Sequence, residues 1–171
     1  NPYIEVQKKV FNLIKKFRKY ELNLSNLIFL QIESPLRSND FFIKKVCLGA
    51  KNKKKIVVGN TNTFRDYSWI TDIVKAILLT SNLKTKDYII SAGSKLSGKN
   101  IIKEAYKLNG LNYKKYHSIN RKFFRKNENK FLIASKKNTS YLKDKFNFKF
   151  KIFGNKLIKE MFKVLWKQES T

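Results

Sequence analysis

The stretch Asn26-Leu27-Ile28-Phe29-Leu30-Gln31-Ile32-Glu33-Ser34-Pro35-Leu36-Arg37 decides the fold. Residues 26–32 form a short apolar run. Ser34-Pro35 ends it, because a residue before proline is driven away from helical geometry. The reading is a buried strand. Upstream, Val6, Val10, Leu13, Ile14 and Phe17 recur at helical spacing, with Lys8, Lys9, Asn12, Lys15, Lys16 and Lys19 on the other side. That predicts an amphipathic helix of about five turns, with Pro2 where a helix tolerates it. Downstream, Asp40–Leu48 reads as a helix, Lys55–Val58 as a strand closed by a Gly59-Asn60 turn, and Ile70–Leu79 as a helix. Asp87–Ser91 follows as a strand and Gly93–Gly98 as a loop. Ser97 then caps a helix with Ile101, Ile102, Ala105 and Leu108 on one face, stopped by Asn109-Gly110. A last helix carries Leu157, Ile158, Met161, Phe162, Leu165 and Trp166. Strands alternating with helices predict an α/β fold. The chain opens on a helix, without the first strand and glycine-rich turn of a doubly wound domain. It therefore reads as the C-terminal half of one.

The 171 residues allow one compact domain or part of a larger one. Their 42% hydrophobic share and 14 Phe, against 2 Pro and 6 Gly, exclude disordered, collagen-like and coiled-coil chains. No apolar run reaches the roughly 18 residues of a membrane span, so no membrane partner is expected. The start at Asn1, without a signal segment, points to a processed or truncated product. One cysteine, Cys47, excludes a disulfide framework, and one histidine, His117, excludes the usual zinc sites; no metal is expected, and both fit a reducing, cytoplasmic setting. The net charge of +26 invites a nucleic-acid reading. Yet the 38 basic residues include only five Arg, and bidentate phosphate and base recognition favours Arg. Lys, Asn, Ile and Phe, all with A/T-rich codons, make up 82 of the 171 residues. Coding bias accounts for the lysines, and no specific nucleic acid is expected. Weak, salt-dependent attraction of polyanions follows from the charge alone.

Gly93-Ser94-Lys95-Leu96-Ser97-Gly98-Lys99-Asn100 nearly matches the phosphate loop GxxxxGK[ST], between a strand and a helix. Asn100 stands where the magnesium-binding hydroxyl belongs, and no second strand ending in Asp follows. A Ser-capped helix is the better reading. Arg125 and Glu128 are spaced as an ordinary surface pair, and Arg65-Asp66 as a local ion pair.

Taken in order, these segments resemble the C-terminal half of the GDP-mannose 4,6-dehydratases, extended short-chain dehydrogenase/reductases. Asn1-Pro2-Tyr3 is similar to the start of that family's SPYAAAK helix, and Leu27–Arg37 to its ILFNHESPRR stretch. Val58-Gly59-Asn60 with Arg65-Asp66-Tyr67 resembles LGN…RDW. Asp87–Ser91 with the Ser97 helix resembles DYVIATG…SVREFVELAFKEVG, and Phe123–Glu128 resembles FFRPTE. The likeness runs through nearly the whole chain. It implies the end of a Rossmann-type domain at 1–36, a mainly nucleotide-sugar-binding domain at 37–171, and a return of 86–93 to the Rossmann sheet.

The resemblance implies intramolecular redox. NADP takes a hydride from sugar C4, water leaves across C5 and C6, and the hydride returns to C6. GDP-mannose thereby becomes GDP-4-keto-6-deoxymannose, a precursor of GDP-fucose. Position by position, Tyr3 matches the catalytic Tyr, and Gln7, Ile32 and Arg37 fall at cofactor-binding positions. Arg37 reaches NADP in the family, often from a neighbouring subunit of a homo-oligomer. Gln31, Lys45, Arg65, Arg125 and Glu128 match residues that hold GDP-mannose. The departures fall on the catalytic side: Gln7 replaces the Lys of YxxxK, Gln31 the Asn and Ile32 the His of NHESP. A Lys one turn from the Tyr lowers the phenol pKa for acid–base work, and Gln7 carries no charge. Lys8 is about 140° round the helix from Tyr3 and is a poor substitute. The expectation is a lyase that is inactive as this chain alone. The alternatives are another NAD(P)-dependent nucleotide-sugar epimerase or dehydratase, and a non-catalytic module binding nucleotide-sugars or polyanions.

Overall fold

A computed structural model describes residues 2–20, 22–81 and 83–167, leaving Asn1 of the first motif outside the described residues. The opening helix, α1, spans Pro2–Arg18. Its end is tied down by Arg18, which donates to the Leu24 carbonyl at 2.7 Å and pairs with Asp87 at 2.9 Å. The apolar run 26–32 forms two strands rather than the single one expected. β1 (Asn26–Phe29) lies parallel to β6 (Asp87–Ile90). Beyond Leu30, β2 (Gln31–Glu33) pairs in parallel with β5 (Tyr67–Trp69) instead. The break has a local cause: the Gln31 amide donates to the Asp66 carbonyl at 3.1 Å, which draws the chain off one neighbour and onto another.

The expected helices and strands are present with small shifts at their ends. α2 covers Phe42–Lys51 and β3 Ile56–Val58; α3 covers Ile70–Thr80 and α4 Gly98–Leu108. Ser97 caps α4 by accepting from the Asn100 amide at 3.1 Å, and Lys99 donates its amide to Thr61. These first-turn donors are already used, so the glycine loop is a helix cap and not a phosphate cradle. Short pieces complete the fold. β4 (Phe64–Arg65) runs antiparallel to β7 (Leu96–Ser97) and parallel to β9 (Phe131–Leu132). α5 (Tyr113–Tyr116) leads into β8 (His117–Ile119), which pairs with β3. α6 (Lys136–Phe146) and α7 (Asn155–Lys167) follow.

Apolar burial falls into two clusters. In the larger, α2, α4 and α7 pack together through Ile43, Val46, Cys47, Ile101, Ile102, Leu157, Ile158 and Met161, all fully buried. The smaller joins Ile73 and Ala76 of α3 to Tyr88 and Ile90 of β6, with Leu142 of α6. Asp72, buried in the first turn of α3, accepts from the Lys151 and Ile152 amides at 2.7 and 2.8 Å and so fixes the segment leading to α7. By contrast α1 buries no residue: Val6, Val10, Leu13 and Phe17 are exposed, although the sequence makes them one apolar face.

Gly49 marks the closest packing. A Cβ there would sit 2.5 Å from Ile56 Cγ2 and 2.8 Å from the Tyr106 hydroxyl, which donates to the Lys54 carbonyl. Ile56 is β-branched and has little room to turn aside. Gly49→Ala should therefore lower stability by roughly 1–3 kcal/mol despite its gain in helix propensity, read as a lower denaturant midpoint at unchanged slope.

Candidate functional site

β2 ends on Glu33 and the chain turns at once. Ser34 accepts from the Leu36 amide through its hydroxyl and from the Arg37 amide through its carbonyl. This turn folds Arg37 back, so that its guanidinium donates to Glu33 Oε1 at 2.9 Å and to the Ile32 carbonyl at 2.7 Å. The Phe41 ring lies 3.4 Å beneath it. A second arginine arrives from β4. Arg65 donates to Glu128 Oε1 and to the Asn129 carbonyl, both at 3.0 Å. The segment carrying Glu128 bends through Asn127, whose φ of 59° is left-handed and suits Asn. Gly59 closes the same wall: a Cβ there would lie 2.8 Å from the Phe123 carbonyl oxygen.

These groups line one cavity of about 440 Å³. Gln31, Arg37, Arg65, Arg125 and Glu128 face it together, from segments nearly 100 residues apart in sequence. The pairings differ from the local ones expected. Glu128 pairs with Arg65 and not with Arg125. Asp66 is fully buried and accepts from the Ser94 and Ala134 amides, so it makes no ion pair with Arg65. Successive residues of an extended segment face opposite ways, which sends one inward and the other to the cavity.

The other candidates lie elsewhere. Tyr3 and Gln7 line a second cavity, about 670 Å³, between α1 and residues 26–30. Ile32 packs against the smaller core cluster. Lys45 donates to the Val57 carbonyl at 3.4 Å and does not line the cavity of Arg65. No group of three or more His, Cys, Asp or Glu able to hold a metal occurs among the described residues, and no described helix is long and apolar enough to cross a membrane.

Sequence reading did not single out Glu33 or Tyr67, yet both line the arginine cavity. Glu33 is only 2% exposed. Burial pushes its carboxyl up to about 7, against the opposing charge and hydrogen bond of Arg37. Burial and the Glu33 carboxylate also drive the Tyr67 phenol upward, so it is a neutral hydroxyl. The available signal was an acidic residue closing a run of buried strand positions.

The architecture is that of the Rossmann-like epimerases and dehydratases. It matches a dTDP-glucose 4,6-dehydratase from Bacillus anthracis, solved with NAD, at a TM-score of 0.78 and 16% identity, over 92% of this chain and 49% of that one. It matches a UDP-glucose 4-epimerase from Thermotoga maritima, solved with UDP-glucose, at 0.77 and 18%, over 95% and 53%. Within that class, residues 1–161 match the family described as GDP-mannose 4,6 dehydratase, and the chain belongs to it. GDP-mannose 4,6 dehydratase 1 of Arabidopsis thaliana is 28% identical over 148 residues, which cover 83% of this chain. The chain spans only 40% of that relative's length.

The Glu33 carboxyl makes stability depend on pH. Its pKa is raised from 4.5 to about 7 on folding, so the folded state holds the proton more tightly. Its contribution is fully present below pH 4.5 and is lost as pH rises to 7. Glu33→Gln should remove this decline and raise stability at pH 8 by at most about 3 kcal/mol. Thermal unfolding of both proteins from pH 5 to 8 reads the difference.

Proposed function

We propose that the chain is the nucleotide-sugar-binding half of a GDP-mannose 4,6-dehydratase. With the rest of such an enzyme it converts GDP-mannose to GDP-4-keto-6-deoxymannose. The observation that carries this reading is the convergence of Arg65, Arg125, Glu128 and Gln31 on one cavity. Guanidinium groups suit a diphosphate, and a carboxylate suits the ribose hydroxyls. The Arg65–Glu128 pair holds both groups in place before ligand arrives, which lowers the ordering cost of binding.

The nicotinamide cofactor, NADP by the resemblance, fits these residues poorly. A dinucleotide needs a glycine-rich turn that frees helix-terminal amides for its pyrophosphate. The chain has no GxGxxG sequence, and the start of α4 spends its amides on Thr61 and Ser97. Hydride transfer is therefore not carried by residues of this chain. A nicotinamide cofactor held by the rest of such an enzyme would supply the redox chemistry at the sugar. Tyr3 stands for proton transfer there, with Gln7 offering a hydrogen-bonding amide and no charge. Arg37, which lies on this chain's own cavity, is a cofactor contact of an assembled homo-oligomer in this reading.

Gln7 and Ile32, in place of Lys and His, favour one second reading: a degenerate module that binds nucleotide-sugars without turning them over. Two measurements separate these. GDP-mannose titrated into the chain should bind, and Arg125→Ala should weaken it roughly 10- to 100-fold, as loss of a charge-assisted contact does. Binding of any polyanion alike, abolished by moderate salt, supports the charge-only alternative. The chain alone should show no dehydration. In the complete protein Gln7→Lys should raise the rate by orders of magnitude; an unchanged rate favours the non-catalytic module.

A further inference from the structure

Glu33 is held in an unusual state. Oε1 is committed to Arg37 at 2.9 Å, while Oε2 is buried without a hydrogen-bond partner among the described residues. Buried polar atoms are nearly always paired, so an unpartnered oxygen beside one already paired calls for a cause. The residue lines the arginine cavity. Ser91 Oγ, also buried and unpartnered, does not line it.

The position of Glu33 says which part of a nucleotide-sugar it meets. The cavity of Tyr3 is floored by residues 26–30, and the arginine cavity begins on Gln31 and Glu33 of the same run. Residues 26–33 thus link the two cavities in sequence, and a ligand whose diphosphate rests on guanidinium groups and whose hexose lies toward Tyr3 would run along this stretch at Glu33. A carboxylate repels phosphate and accepts from hydroxyls, and Glu128, beside Arg65, is the carboxylate assigned above to the ribose.

The geometry points to Glu33 as a specificity-determining residue whose Oε2 accepts a hydroxyl of the hexose. This rests on the nucleotide-sugar reading above. It also gives a reason for keeping a carboxyl that burial makes costly to ionise, since functional sites retain such groups against stability.

The test titrates GDP-mannose and GDP at pH 8, where Glu33 is mostly ionised, into the 171-residue chain and into its Glu33→Gln and Glu33→Met variants, with thermal unfolding as the control for folding. Glu33→Gln keeps an acceptor for Arg37 and puts a neutral amide donor where Oε2 was. The expected result is at least a fivefold loss for GDP-mannose, with GDP unchanged within twofold; the Met variant should lose as much or more. An equal loss for both ligands, or none for either, overturns the inference while leaving nucleotide-sugar binding intact. If the unaltered chain binds neither ligand, that reading and this inference both fall. Should Glu33→Met not fold, the Gln variant decides.

Discussion

One buried carboxylate organises the region that holds the candidate site. Asp66 accepts from the Ser94 and Ala134 amides through its side chain. Its backbone takes the Gln31 amide on one side and donates to the Leu132 carbonyl on the other. Three segments distant in sequence are thereby brought to one point. The partner switch after Leu30, the short β4–β9 pairing and the extended segment that turns Arg65 to the cavity all pass through this residue. Hydrogen bonds to a charged acceptor are stronger than neutral ones, and here they close loops rather than extend a ladder.

From that node the rest of the cavity follows by short steps. Glu33 lies two residues beyond Gln31, and Arg65 sits beside Asp66 with Glu128 on its other side. The serine turn after Glu33 needs no regular structure, only a hydroxyl, a proline and an arginine long enough to reach back. Arg37 is then fixed by a carboxylate, a carbonyl and an aromatic ring at once. A guanidinium with so many partners keeps little rotational freedom, which suits a binding surface built ahead of its ligand.

The long elements were legible because each carries its own signal. α3 and α4 show apolar positions at helical spacing, and α4 adds a serine cap and an Asn-Gly stop. β4, β7 and β9 are two residues each, too short for periodicity to register. The site was half legible. Motif order drew attention to Arg65, Arg125 and Glu128, but nearness in sequence suggested the wrong partners. Arg65 and Glu128 are 63 positions apart, and only the β4–β9 pairing brings them together. Glu33 escaped notice because a lone acidic residue after a strand ordinarily faces water. α1 shows the opposite gap: its apolar stripe was readable, yet Val6, Val10, Leu13 and Phe17 on it stay exposed. A helix can announce a buried face without naming what buries it.

Cys47 lies fully buried where α2, α4 and α7 meet, and burial drives its thiol away from the reactive thiolate form. It is also the chain's only cysteine. A thiol reagent can therefore reach sulfur only when those three helices part. The molecule carries its own clock: the rate at which Cys47 is alkylated counts the openings of the larger cluster, with no probe added and no competing site to correct for.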